Sequence, residues 1–271
     1  MRKLIFLAVL VIFAAPLAAT AKGPATVEPG AVMSDLKAQA QARLDYLDRS
    51  LAQAAVALGR TGLTGPGARK ALEKLLGACP EAIDVCAIDL NGHMVTIEPA
   101  AFRHLEESDI SGQEQVQRLQ RTRRPVMSQV FMTVEGVEAV DLEHPVMGPD
   151  GRLLGAASLL FKPDALLEAI WGKLHSGPGE RSEFWAMDPL GRIIYDQDQH
   201  EVDRNLFSDP LYRDYPELLA LGRRVQAEPS GRGAYSFFAK GSHAVVTKQT
   251  LWDSAGLHGT WWRLVVTRPG N

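Results

Sequence analysis

Several things are scarce in these 271 residues, and each scarcity excludes something. No long block of lysine and arginine occurs, and the formal net charge is −3. A polyanion partner such as nucleic acid therefore has no electrostatic footprint. The densest basic run, Arg118–Arg124, reads as one face of a short helix. No G-x-S-x-G, H-E-x-x-H, P-loop or dinucleotide glycine run is present, so the expectation is a protein that is not an enzyme and needs no cofactor. Only two cysteines occur, Cys79 and Cys86, with six residues between them in "CPEAIDVC". With no histidine cluster beside them they do not make a zinc site, and no metal is expected. Two readings of the pair stand: a disulfide closing a small loop, or a buried strand thiol at Cys86 with a loop thiol at Cys79.

No hydrophobic span follows the first one. Arg2 and Lys3 precede the apolar run Leu4–Ala19, and "ATA" at Ala19–Ala21 offers small residues for cleavage. This is the layout of a secretory signal peptide, at residues 1–21. The run is short for a membrane span of roughly 20 residues. The expected location is periplasmic or extracellular, with an uncleaved N-terminal anchor as the alternative.

What is present is a pattern that occurs twice. Residues 22–33, rich in Gly and Pro, read as a tether. Ser34 is placed to cap a helix, and Leu36, Ala40, Leu44, Leu47, Leu51, Ala55 and Leu58 form one apolar stripe at helical spacing. Gly59 is the expected end. A connecting helix, "ARKALEKLLG", follows after Pro66 and completes a helical segment over 34–77. Then "AIDLNGHMV" (Ala87–Val95) is echoed by "AMDPLGRII" (Ala186–Ile194), each position 99 residues on. Each echo opens a hairpin, with a turn glycine at Gly92 or Gly191. After each come a polar insert with a helix and then three strands: Val126–Val134, Val137–Val146 and Arg152–Phe161 in the first unit, Ala234–Ala239, His243–Trp252 and Thr260–Arg268 in the second. The units are expected at 78–175 and 183–271, the first closed by a helix over Pro163–His175. A linker over Ser176–Ser182 joins them. The fold class is therefore α+β, with a long N-terminal helix and two antiparallel sheets of about five strands.

The long helix, "VCAIDLNGHMV", "DISGQEQV", "RRPVMSQVF", "EHPVMGPDGRLLGAASLLF" and "FWAMDPLGRIIYD", in that order, resemble the double Cache family of extracellular sensor domains, which are PAS-like. The resemblance covers about Ser34 to Arg268. It implies two tandem Cache modules, each with a loop-covered sheet face that binds a small molecule, the first module usually doing the sensing. The last strand ends just before Asn271, so the expectation is a stand-alone exported member. The partner it implies is a small-molecule ligand, with a membrane receptor or sensor kinase beyond it.

Amino-acid-sensing members use an Arg-x-Trp stretch and a late Asp. Here Arg103 is followed by His104 and Leu105, and the late position falls near Leu160, so an α-amino acid held in that manner is not expected. Candidate anchors in the first module are Asp141, Ser128, Phe131, Arg103, His104 and Asp109. Arg103 or His104 could take a carboxylate, which points to a small polar or carboxylate-bearing metabolite. Each has a plainer reading: Asp109 as a helix cap, Asp141 paired with a strand charge, Arg103 solvated, Phe131 in the core. In the second module Tyr195, Asp196, Tyr212, Arg213, Tyr215 and Lys248 either line a pocket or pack a helix on the sheet. Two functions compete: a small-molecule-binding sensor domain, and a protein–protein adaptor docking through the Leu36–Leu58 stripe on a membrane receptor.

Overall fold

The computed structural model describes residues 29–174, 182–238 and 244–270. The expected signal peptide, the tether up to residue 28, linker residues 176–181 and the Lys240-Gly241 turn lie outside them. Helix α1 (Pro29–Thr61) starts before Ser34 and runs through Gly59. Both expected ends are thus corrected, since residues 29–32 are helical. Leu36, Ala40, Leu44, Leu47, Leu51 and Leu58 have no exposed surface. Gly59 has a packing role: a Cβ there would lie 2.2 Å from the Met147 carbonyl oxygen. Gly59→Ala is expected to lower stability by about 1–3 kcal/mol through this clash, despite roughly 1 kcal/mol of gained helix propensity. A urea midpoint at or above wild type would refute that reading.

After α2 (Gly65–Ala78), the first sheet is built from β1 (Ala82–Asp89), β2 (Met94–Glu98), β3 (Val126–Met127), β4 (Phe131–Met132), β5 (Glu138–Met147) and β6 (Leu153–Phe161). Its order is β2-β1-β6-β5-β3, with β4 also on β5, all antiparallel. The single strand expected over Val126–Val134 is broken in two. Ser128 explains the break: its N–H donates to the Asp141 carbonyl, while its Oγ, in place of a main-chain carbonyl, accepts from the Asp141 N–H at 2.9 Å. Helix α3 (Glu114–Thr122) lies in the insert and α4 (Pro163–Leu174) follows β6.

The second sheet has the order β8-β7-β11-β10-β9. Its strands are β7 (Glu183–Met187), β8 (Ile193–Asp196), β9 (Gly231–Phe238), β10 (Val245–Leu257) and β11 (Thr260–Pro269), with α5 (Pro216–Ala227) between β8 and β9. One continuous core joins the α1 stripe and α4 to one face of both sheets, including Val85, Leu142, Leu159, Ala186, Leu264 and Val266. The opposite faces carry separate, smaller cores. The sheets also touch directly: Thr260 Oγ1 donates to the Met127 carbonyl at 2.6 Å.

The echoed hairpins are the same device twice. Asp89 Oδ1 accepts from the N–H groups of Asn91 and His93, both at 2.9 Å. Asp188 Oδ1 accepts from Leu190 and Arg192 at 2.8 and 3.0 Å. Gly92 and Gly191 adopt φ of 85° and 84°, which glycine takes without steric cost. Each then fixes the insert that covers its sheet: the Gly92 carbonyl accepts from Ile110 N–H at 2.8 Å, and the Gly191 carbonyl from Leu206 N–H at 2.9 Å.

Candidate functional site

Strand alternation decides which side chains can face a ligand. In the first sheet, Val85, Ala87, Val140, Leu142, Ala157 and Leu159 face the helices. The other face therefore carries two rows. Asp84 is opposite Leu160, which is opposite Asp141; Cys86 is opposite Ser158, which is opposite Glu143. Three carboxyls thus stand on one buried face, at 1%, 3% and 0% exposure for Asp84, Asp141 and Glu143. Ser158 Oγ donates to Asp141 Oδ1 at 2.6 Å, and Gln115 Nε2 of α3 reaches Asp141 Oδ2 at 3.4 Å. Among the described residues, no donor reaches Asp84 Oδ2 or either Glu143 carboxyl oxygen.

Burial raises the pKa of all three carboxyls above the ordinary range. For Asp84 the charges of Glu135 and Asp141 add to it; for Glu143 the charge of Asp141 adds, opposed by Arg118; for Asp141 the hydrogen bonds from Ser158 and Gln115 oppose it. A raised pKa favours the neutral form and so lessens the cost of burying these groups as charges. The cavity in front, lined by Asp84, Asp141, Phe131, Met94 and Ile110 among others, measures about 20 Å³. That is room for about one water molecule.

The expected site residues of this module divide. Asp141, Ser128 and Phe131 come together here. Arg103, His104 and Asp109 do not. Arg103 is exposed and paired with Glu98; His104 Nδ1 contacts the Ala101 carbonyl; Asp109 Oδ1 is exposed and accepts from Ser111 N–H in the turn before α3. A basic anchor for a carboxylate is thus absent from the lining of this cavity, because the 3₁₀ turn Ala100–Leu105 carries Arg103 outward. The cysteines are both free thiols. Cys79 packs in the core with α1, whereas Cys86 faces the carboxyl rows on the other side of β1.

The second sheet presents a cavity of about 310 Å³ in the corresponding place, within the range of small-molecule sites. Trp185, Tyr212, Tyr215, Tyr235 and Phe237 wall it, and Glu183, Asp196, Asp198 and Glu201 surround it with one cation, Lys248. Lys248 is paired with Glu183, and its Nζ sits 5.7 Å from the Phe237 ring centre. The Tyr212 hydroxyl donates to Glu201. Asp196 sits on the Trp185 face of β8. Burial raises its pKa to about 7, helped by the charges of Glu201, Asp198 and Glu183 and opposed by a hydrogen bond from Asp198 N–H. Of the residues expected here, Tyr212, Lys248, Asp196 and Tyr215 meet in the cavity. Tyr195 does not: it faces the helix side, donating to Glu168 of α4. Arg213 is exposed and outside the lining. Trp185, Tyr235 and Phe237 were not anticipated; the alternation Tyr235-Ser236-Phe237 on an edge strand was the available signal.

Strand register makes the two faces comparable position by position. Asp84, Cys86, Ser158, Leu160, Asp141 and Glu143 of the first sheet stand where Glu183, Trp185, Val265, Thr267, Thr250 and Trp252 stand in the second.

Residues 42–163 match the family model described as the HK/GC/chemotaxis protein-like sensor domain. An extracellular ligand binding receptor from Desulfohalobium retbaense DSM5692 shares the fold with a TM-score of 0.75 at 33% identity, over 88% of this chain and 39% of that one. The chain thus spans about two fifths of that receptor's length. The ligand-binding domain of the Pseudomonas aeruginosa PAO1 amino acid chemoreceptor PctB, in complex with L-Arg, has a TM-score of 0.63 at 14% identity, over 89% and 93% of the two chains. The extracellular domain of rpHK1S-Z16 has a TM-score of 0.64 at 15% identity, over 89% and 92%. No curated protein is similar to the chain in sequence. Among the described residues, no helix is long and apolar enough to cross a membrane. Two covered antiparallel sheets on a shared helix are the fold that these extracellular domains share, and residues 42–163 carry the sensor-domain match. The fold agrees with the double Cache resemblance read from the sequence.

Proposed function

We propose that the chain acts outside the cytoplasmic membrane as a sensor for a small molecule bearing a positively charged amine, bound in the second sheet's cavity. The observation that carries this is the composition of that cavity: five aromatic rings and four carboxylates against a single lysine, itself neutralised by Glu183. Aromatic faces and carboxylates both attract a desolvated cation. Lys248 over Phe237 shows an ammonium already held in this manner. The sequence pointed to a small polar or carboxylate-bearing ligand in the first module; the four carboxylates around the second cavity favour an amine there. That PctB was solved with L-Arg agrees with amine recognition on this fold. Coupling to a membrane-bound kinase or chemoreceptor partner belongs to the same proposal.

The test is a thermal-shift and calorimetric screen of the chain from Lys22 against amines, amino acids, organic acids and purines. Amines are expected to raise the melting temperature. Asp196→Asn and Tyr212→Ala are each expected to weaken the binding about 10- to 100-fold, as for loss of a charged hydrogen bond or an aromatic wall. Binding should also weaken as pH falls below about 7, where Asp196 takes up a proton. The limit is about tenfold per pH unit for one proton. A shift from organic acids alone, unaffected by Asp196→Asn, would overturn the reading.

A further inference from the structure

Asp48, His144 and His258 meet where α1, the first sheet and the second sheet join. They are far apart in the chain, on α1, on β5 and at the β10–β11 corner. His144 Nε2 lies 2.7 Å and His258 Nε2 2.6 Å from the same oxygen, Asp48 Oδ1. The two rings are set edge to face, 81° apart, with centres 5.8 Å from each other. One ligand atom from each residue lies within 4.8 Å of the other two. Side-chain exposures of 20%, 12% and 22% for Asp48, His144 and His258 leave one side open to water.

We propose that this triad is a binding site for a borderline divalent transition-metal ion such as Zn²⁺, clipping the helix to both sheets. In the absence of an ion, two imidazole N–H groups converge on one carboxylate oxygen, and each must carry its proton on Nε2. A divalent ion takes the place of those two protons, each ring then carrying its proton on Nδ1 and any excess proton passing to water, and takes both Nε2 atoms and the oxygen as ligands. Zinc bonds of 2.0–2.1 Å in a tetrahedron put ligand atoms about 3.3 Å apart, so each N···O separation must open by roughly 0.6 Å. A fourth position remains for water on the open side. Two imidazoles and one carboxylate suit Zn²⁺ and its neighbours, and not the all-oxygen preferences of Ca²⁺ or Mg²⁺.

The supports are rigid. His144 is paired with Ala157 in mid-sheet. His258 occupies a tight hairpin corner at φ 52°, between Leu257 and Thr260 at the end of a ten-pair ladder. Asp48 projects from α1 beside Leu47, which has no exposed surface. The site is separate from the amine cavity, and its test does not depend on that reading.

The experiment uses chain stripped with a chelator and desalted, then titrated with ZnCl₂ by calorimetry and thermal denaturation, with MgCl₂ as control. The expected result is one Zn²⁺ per chain and a melting temperature that rises with Zn²⁺. At a free concentration 100 times Kd, the folded-to-unfolded ratio should rise about 100-fold. One equivalent of Co²⁺ should give a visible d–d absorption band. His258→Asn preserves the left-handed corner, which asparagine tolerates, and should abolish both the increment and the band; Asp48→Asn should do the same. The zinc-dependent increment is read against each variant's own metal-free melting temperature, so a loss of basal stability does not mask it. Two outcomes overturn the proposal: no saturable shift in the wild type, or an unchanged shift in the doubly substituted protein, which would place the ion on other histidines such as His93, His104 or His200.

Discussion

Raising the pH from 5 to 8 is expected to destabilise this protein, with the melting temperature falling by roughly 3–6 °C per pH unit for each proton that the fold retains. Asp84, Asp141 and Glu143 are buried together, and burial raises the pKa of each in the folded state. In the unfolded chain these carboxyls lose their protons near pH 4. Between that pH and their higher folded values, the native state binds more protons than the unfolded state. Stability then falls as pH rises, by about 1.4 kcal/mol per pH unit per retained proton, and each kcal/mol moves the melting temperature of a chain of this size by about 2–4 °C. Asp196, raised to about 7, adds to the same trend. Asp48, lowered by the two histidines, works in the opposite direction, but its contribution is lost only below about pH 4. Asp141→Asn or Glu143→Gln should flatten the slope and raise stability at pH 8. Calorimetric scans at pH 5, 6.5 and 8 check this. A melting temperature that climbs with pH, or a slope that the substitutions leave unchanged, would sink it.

The second large effect is expected from Leu47→Ala. Leu47 has no exposed surface in the core shared by α1 and both sheets. Truncating such a leucine costs about 2–5 kcal/mol. Because α1 packs on β5 and β6 of one sheet and on β10 and β11 of the other, the loss should appear in both at once. The five tryptophans lie at Trp171 and beyond, so their fluorescence follows the second sheet. Alkylation of the buried Cys86 thiol follows the first. Both urea midpoints should fall together. A shift confined to one probe would show that the sheets unfold separately.

Most of the architecture was readable because its signals are local. The α1 stripe, the Asn-Gly and Leu-Gly turns and the strand alternation each need fewer than about 20 residues to be seen. The exceptions are instructive. Gly59 reads as a helix stop, yet it serves the close approach of β5, a contact 88 residues away that no local pattern encodes. Val126–Val134 reads as one strand, and only the pairing of Ser128 with Asp141 shows where it breaks.

The site was less legible for the same physical reason. Asp141 stood out within its own strand, but the carboxyl rows arise from the register of β1, β6 and β5. Arg103 was a reasonable anchor by charge, and the fold turns it toward Glu98. The tyrosines of the second unit were visible as a cluster, yet their sequence proximity did not tell that Tyr195 and Tyr212 lie on opposite sides of the sheet. His144 and His258 show no ligand spacing in sequence, because Asp48 brings them together only in three dimensions.

The paired Asx turns carry one more implication. The main-chain bonds from Gly92 to Ile110 and from Gly191 to Leu206 recur in both covers, while the side-chain bonds beside them differ, Gln120 reaching the Leu90 carbonyl in one and Asn205 the Leu190 carbonyl in the other. The faces beneath share almost no side-chain chemistry: Asp141 and Glu143 on one, Thr250 and Trp252 at the same places on the other. The recurring anchorage and the selectivity are therefore written largely in different atoms, with the Gln115–Asp141 bond as the link between cover and face in the first sheet. Either compartment can be rewritten, residue by residue, toward a new ligand while its roof stays fastened, and the companion copy keeps the shared spine folded during the change.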